Sequence, residues 1–195
     1  MDWGLKTGDV LLCNFTGGGP LGWFSSAIKK FTESEFSHCA VVLKDPTFLP
    51  LTKGYYVWES TYDGKADPQD GKIKLGVKIT PFKEFYKEYT EKGKLYVKKL
   101  YTNEEITQEN LKKIHDVVYD KPYDIVPKDW YEAYEREDSD PQKTSRFWCS
   151  AFVGYVYTKL GFYSSKTDWS IMRPSDIAEN RTPLINAYLG CLVEL

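Results

Sequence analysis

Histidine is scarce in this chain: only His38 and His115 occur among 195 residues, so any imidazole base must be one of the two. The four cysteines, Cys13, Cys39, Cys149 and Cys191, stand far apart with no CxxC pair. Zinc-finger spacing is therefore absent, and the sequence implies neither a metal nor a cofactor. No apolar run approaches the roughly 18 to 20 residues of a membrane span. Neither sign of charge is in excess: the formal net charge is −2, with a pI near 5.8. The totals thus do not read as those of a nucleic-acid binder. The opening, MDWGLKTGDVLLCNF, has an acid at position 2 and no basic region ahead of an apolar stretch. It does not read as a secretory signal, which points to a cytoplasmic chain without a disulfide framework.

What is abundant is aromatic: 16% of residues, with 15 tyrosines and 6 tryptophans. Such a composition argues against disorder and for a core or site built from large rings with polar edges. The length suits one domain spanning residues 1–195. KTGDVLLCNF reads as a turn entering a short strand, and TGGGPLGW as a loop whose glycines lack the Gly-Lys-Ser/Thr of a phosphate loop. FSSAIKKFTES has the spacing of a short amphipathic helix, with Phe24, Ile28 and Phe31 on one side. HCAVVL (38–43) and YYVWEST (55–61) read as strands. KIKLGVKIT (72–80) alternates, with Ile73, Leu75, Val77 and Ile79 on one face and mostly lysines on the other. Thr80 is expected to cap a helix starting at Pro81, and Thr107 another over 107–119. KLYVKKLY (94–101) is a further strand, and KDWYEAYEREDSDPQKTSR a short helix with a long loop. CSAFVGYVYTKLG (149–161) reads as a buried helix ending at Gly161, RPSDIAEN as a helical turn, and YLGCLVEL as a last strand. Strands crowd the first half and helices the second, giving an α+β fold with an antiparallel sheet.

A thiol nucleophile needs a lowered pKa, a base within reach, and a group that holds the base in the right tautomer. Cys149 stands where a polar loop ends and an apolar helix begins. There the free N–H groups and the helix dipole favour a thiolate, and its own N–H is a natural oxyanion donor. Cys13, Cys39 and Cys191 lie within strands, where a thiol is usually inert packing. His115 sits mid-helix between lysines and acids and reads as a residue near a solvated face. His38 opens a strand; alone it reads as structural, and beside a helix-N-terminal cysteine as a base. Glu59 is either an exposed edge-strand glutamate or the acid that orients His38 from the neighbouring strand. Cys39, next to His38, points to the opposite face of its strand and is the wrong thiol to serve it.

The segments LKTGDVLL, FSHCAVV, VWESTYDG…GVKITPF, KPYD, FWCSAFVGYVYTKLG and RPSDI, in that order, resemble the permuted NlpC-type branch of papain-like cysteine hydrolases. This branch includes YiiX-like proteins and poxvirus-type members and, more distantly, lecithin:retinol acyltransferase. The resemblance runs over roughly residues 5 to 180. It implies a permuted papain-like fold, with an antiparallel sheet packed on the cysteine helix. It implies Cys149 as nucleophile, His38 as general base and then acid, and Glu59 as orienter, with no cofactor. Tyr123 and Asp124 match a family Tyr-Asp position in a supporting role, and Ser150, beside the nucleophile, is a further supporting residue; a buried tyrosine bonded to backbone is an equal account of Tyr123. The substrate implied is a peptide amide or a lipid acyl group, and the location cytoplasmic or virion-associated. Trp23-Phe24 would let a lipid-acting site touch a membrane surface transiently, against the plainer reading of loop packing. The rival reading is a catalytically silent binding or virion-associated module on the same fold. The sequence leaves the oligomeric state open.

Overall fold

The computed structural model describes residues 2–16, 34–138 and 141–195. The glycine loop after Thr16, the helix expected over 24–34 and the Trp23-Phe24 pair lie outside them, save for Ser34 at the end of that helix.

Among the described residues the chain runs β1 (Val10–Phe15), β2 (His38–Lys44), β3 (Tyr55–Thr61), β4 (Gly76–Pro81), α1 (Phe82–Glu91), β5 (Gly93–Thr102), α2 (Gln108–Val118), α3 (Pro127–Glu135), α4 (Cys149–Lys159), α5 (Pro174–Ala178) and β6 (Ala187–Glu194). The strands form one sheet in the order β4-β3-β2-β1-β5-β6, with every neighbouring pair antiparallel. The expected α+β class with an antiparallel sheet is what the chain adopts. No helix among the described residues is long and apolar enough to cross a membrane.

Both faces of the sheet are covered, which explains why β2 is apolar without alternation. On one face, Val10, Leu12, Cys39, Val41, Leu43, Trp58 and Ile79 pack with Phe152, Tyr155 and Val156 of α4 and with Leu111 and Ile114 of α2. On the other, Leu11, Cys13, Ala40, Val42, Val57 and Val97 pack with Phe82 and Phe85 of α1. Side chains alternate between faces along a strand, so neighbours in sequence serve different layers. His38 and Cys39 are such neighbours.

Several boundaries match expectation. Thr107 caps α2, its side chain accepting a bond from the Asn110 N–H, and Gly161 follows α4 at φ +82°. Two readings near β4 do not hold. The strand expected from Lys72 starts only at Gly76. Ile73 and Leu75 are exposed rather than core-facing, because Lys74 turns inward to Asp67 at 3.0 Å and Asp70 at 2.7 Å. Lys78 is likewise buried and paired with Asp63 at 2.6 Å. Nor does Thr80 cap a helix: β4 runs through Pro81, α1 begins at Phe82, and no side chain caps it. The Thr80 hydroxyl is committed elsewhere, to Glu59 at 2.6 Å.

Candidate active site

His38 is the first residue of β2 and is 6% exposed. Its Nε2 lies 2.6 Å from Oε2 of Glu59 on the adjacent strand β3. The other carboxylate oxygen, Oε1, accepts the Thr80 hydroxyl from β4. Glu59 is therefore held at both oxygens between two neighbouring strands, which is how a carboxylate only 2% exposed avoids the cost of unpaired burial. It is not an exposed edge-strand residue. The imidazole lies flat on the ring of Tyr89, centroids 5.7 Å apart and 5° between planes, with Phe85 at 6.1 Å. Both rings come from α1. Acid, hydroxyl and ring stack thus fix the orientation of His38, and Nδ1 is the nitrogen left for another partner.

Cys149 is the first residue of α4, which packs across β2 and β3. Burial alone would lower the His38 pKa, but hydrogen bonding to Cys149 and Glu59 and their negative charge push it up to about 10. Cys149 moves the opposite way. A hydrogen bond from the Cys39 thiol outweighs its burial, and together with the His38 charge and the Cys39 N–H it holds the Cys149 thiol well below the ordinary range. The two shifts run in opposite directions, and both favour the thiolate–imidazolium form of the pair over the neutral one. Burial drives Cys13 and Cys39 the other way, with the Cys149 charge adding to it. Of these three buried thiols, Cys149 alone is shifted down.

The helix start is anchored from outside. Ser60 of β3 donates to the Phe147 carbonyl at 2.7 Å, and Phe147 and Tyr123 form a parallel bridge. Burial, with the Cys149 and Cys39 charges adding to it, pushes the Tyr123 hydroxyl well above its ordinary range. The Ser150 hydroxyl donates to the Met172 carbonyl at 2.7 Å, pinning the first turn of α4 rather than facing the sulfur. Asp124 accepts from the Val126 N–H and pairs with Arg146 at 3.2 Å, while burial and the adjacent Asp129 carboxyl push it up to about 6. Asp124 thus joins Asp129 of α3 and Arg146 of the loop leading to α4 in an ion-pair cluster, and its own N–H donates to the Phe147 carbonyl at 3.1 Å. His115 lies apart. It is half-buried, not on a solvated face, with Nε2 at 2.7 Å from Gln69 Oε1 and its ring against Phe48 and Trp58.

No protein-family model matches the chain, and no curated protein does. Among solved structures, the crystal structure of the metalloprotein YiiX from Escherichia coli O157:H7, a DUF1105 protein, aligns over 99% of this chain and 97% of that chain at 18% identity, with a TM-score of 0.49. The chemistry of the site stands on this chain's own residues.

Three of those residues are not apparent from sequence. Thr80 looks like a helix cap, and the cap reading hides its bond to Glu59. Tyr89 belongs to the Phe82, Phe85, Tyr86, Tyr89 stripe of α1, whose helical spacing does signal a ring face turned to the sheet. Cys39 does point away from His38, but the face it points to is the one α4 covers. That a helix covers this face, so that Cys39 and Cys149 share one core cluster, cannot be read from β2 alone.

Proposed function

We propose that this chain is a cysteine hydrolase or acyltransferase acting on an amide, ester or thioester bond, with Cys149 as nucleophile, His38 as acid and base, and Glu59 as orienter. The observation that carries the reading is the 2.6 Å contact of the buried His38 Nε2 with Glu59, with Cys149 raising the His38 pKa alongside it. The order His38, Glu59, Cys149 along the chain supports the permuted papain-like arrangement. In the reaction, the Cys149 thiolate attacks the substrate carbonyl and the carbonyl oxygen gains the charge. The Cys149 N–H and the Tyr123 hydroxyl donate hydrogen bonds to that oxygen. The C–S bond stays as the carbonyl re-forms, and the leaving group departs with the proton that His38 Nδ1 held. The resulting thioester is resolved when His38, now neutral, takes a proton from water or another acceptor attacking the same carbon. Glu59 keeps its negative charge and stabilises each imidazolium in turn. A peptide amide or a lipid acyl group is the substrate class we assign, from the motif resemblance.

Although YiiX is called a metalloprotein, the donor set here suits proton transfer better than metal binding. His38, Glu59 and Cys149 run in series rather than converging on a point, and among the described residues no group of three or more His, Cys, Asp or Glu is placed to hold a metal ion.

One observation favours the second reading, a silent binding or virion-associated module that keeps the triad without turnover: Cys149 is only 2% exposed. Two measurements separate them. Iodoacetamide at neutral pH is expected to alkylate Cys149 ahead of Cys13, Cys39 and Cys191, mapped by peptide mass spectrometry. Incubation with p-nitrophenyl butyrate is expected to leave a butyryl group on Cys149 and none in Cys149→Ala. Alkylation no faster than at the other three cysteines would remove the nucleophile assignment. Fast alkylation with no acyl adduct would favour the binding module.

A further inference from the structure

Lys78 and Thr80 alternate along β4 with the core residues Val77 and Ile79, so the two polar side chains share the face turned to α1. Glu59 stands directly opposite Lys78 in the β3–β4 ladder, with Val57 opposite Thr80. Side chains so placed have Cβ atoms about 4.5–5.5 Å apart, and an acid facing a lysine there is ordinarily its ion-pair partner. In this sheet it is not. The Lys78 side chain is 1% exposed, and its ammonium bonds to Asp63 Oδ1 at 2.6 Å and to the Lys65 carbonyl at 3.0 Å. No ion pair joins Lys78 to Glu59 among the described residues; the carboxylate goes to His38 and to the neutral Thr80 hydroxyl, each at 2.6 Å. The nearby Lys65 ammonium is taken by Glu88 of α1 at 2.7 Å.

Asp63 is built into place by its own backbone. It lies two residues beyond the end of β3, in a turn that Gly64 carries at φ +72°. The same Oδ1 that meets Lys78 also accepts the Lys65 N–H at 2.9 Å, which fixes the carboxylate before the lysine reaches it. We propose that Asp63 is a positioning residue for His38: it draws the Lys78 ammonium off Glu59, so that the Glu59 charge serves the imidazole alone. The physical reason is competition. An ammonium against Glu59 would form a neutral pair with it, and the imidazolium would lose most of the charge that stabilises it. A hydroxyl in that place orients the carboxylate without neutralising it. Asp63 thus acts on the ring through two intermediaries, Lys78 and Glu59, and touches neither the ring nor the sulfur.

The inference rests on the His38–Glu59 arrangement of the function proposed above, but it is tested on the ring and needs neither thiol nor substrate. The His38 side chain of the full-length protein is titrated by NMR in four variants. Asp63→Asn keeps an acceptor for the Lys65 N–H and removes the charge that holds Lys78; the His38 midpoint is expected to fall by about one unit or more. Asp63→Asn/Lys78→Met has no ammonium to release and should return to within about 0.3 units of the wild-type midpoint. This double variant also replaces a buried ion pair by groups that need no counter-charge, so it reports even where the unpaired lysine of Asp63→Asn prevents folding. In Glu59→Gln, where the acceptor charge is already gone, adding Asp63→Asn should move nothing further. The proposal is overturned if Asp63→Asn leaves the midpoint in place, if the double variant departs from the wild type by a unit in either direction, or if Asp63→Asn acts equally without the Glu59 charge. A midpoint that falls in Glu59→Gln but not in Asp63→Asn overturns this inference alone and leaves the orienting role of Glu59 intact.

Discussion

At the scale of single residues, the site is a division of labour between two thiols and one imidazole. Cys149 and Cys39 are both buried, yet one is held low and the other pushed high, because hydrogen bonds and the His38 charge act on one while burial dominates the other. Two consequences can be measured. Alkylation of Cys149 by iodoacetamide is expected to reach its plateau at a lower pH than that of a free thiol such as glutathione, whose rate climbs roughly tenfold per unit until pH nears about 8.5. A rate that climbs in parallel with glutathione would mean an ordinary thiol. Glu59 is the second case. Since its charge helps raise His38 to about 10, Glu59→Gln, which keeps the size and removes the charge, should bring the ring titration down by about one unit or more. The ring's NMR titration reads this directly, and an unmoved midpoint would take the orienting role from Glu59.

At the scale of elements, α4 has to deliver a side chain to the end of a neighbouring strand, and its packing leaves little slack. Gly154 lies midway along the helix, where a Cβ would come within 2.6 Å of the Met172 sulfur and 2.7 Å of the Trp169 Cβ. An exposed helical Gly→Ala gains about 1 kcal/mol from propensity. Here the sign is expected to reverse, Gly154→Ala destabilising by about 1–2 kcal/mol through overpacking against Trp169, seen as a lower urea midpoint at unchanged slope. The same loop takes the Ser150 bond at Met172, so this substitution should also slow Cys149 alkylation. An unaffected midpoint would show that the 169–172 loop yields freely. Most elements around this helix were legible in the chain: the Val/Leu runs of β1 and β2, the Thr107 cap, and the polar-to-apolar break before Cys149 each carry a local signal. The β4–α1 junction was not. Thr80-Pro81 has the local chemistry of a helix start, and only the carboxylate on the neighbouring strand decides otherwise. Likewise, alternation over 72–80 suggested a long strand, but Asp63, Asp67 and Asp70 draw Lys74 and Lys78 inward, and sequence alone gives no count of such long-range ion pairs.

At the scale of the whole molecule, the two layers on the sheet meet at one end of β2, and a charge pair spans them. His38 rests on α1 while Cys149 begins α4. The three site residues could be matched to proposed roles from their order in the chain, whereas the sandwiching of β2 between helices, which puts Cys39 into the core cluster that holds Cys149, emerges only from the tertiary fold. This coupling gives the folded state a particular pH dependence. His38 has its pKa raised from 6.5 to about 10, so its contribution is full below 6.5 and is lost as pH rises through about 10. Cys149 has its pKa lowered from 9.0, so its contribution is full above 9.0 and is lost as pH falls through the lowered value. Below 9.0 and above both 6.5 and the lowered Cys149 value the two slopes oppose each other: the unfolded chain holds one proton on the thiol, the folded chain one on the ring, and folding moves no net proton. The stability difference between the wild-type protein and the double variant His38→Gln/Cys149→Ser should therefore be level across that window. Below it the difference should shrink by up to about 1.4 kcal/mol per pH unit, and it should shrink again above about pH 9. Urea unfolding of both proteins at a series of pH values gives this difference, with the titrations of all other groups cancelling between them. A difference that instead rises or falls steadily through neutral pH would mean that only one of the two groups changes charge on folding, and the thiolate–imidazolium pair across the sheet would have to be abandoned.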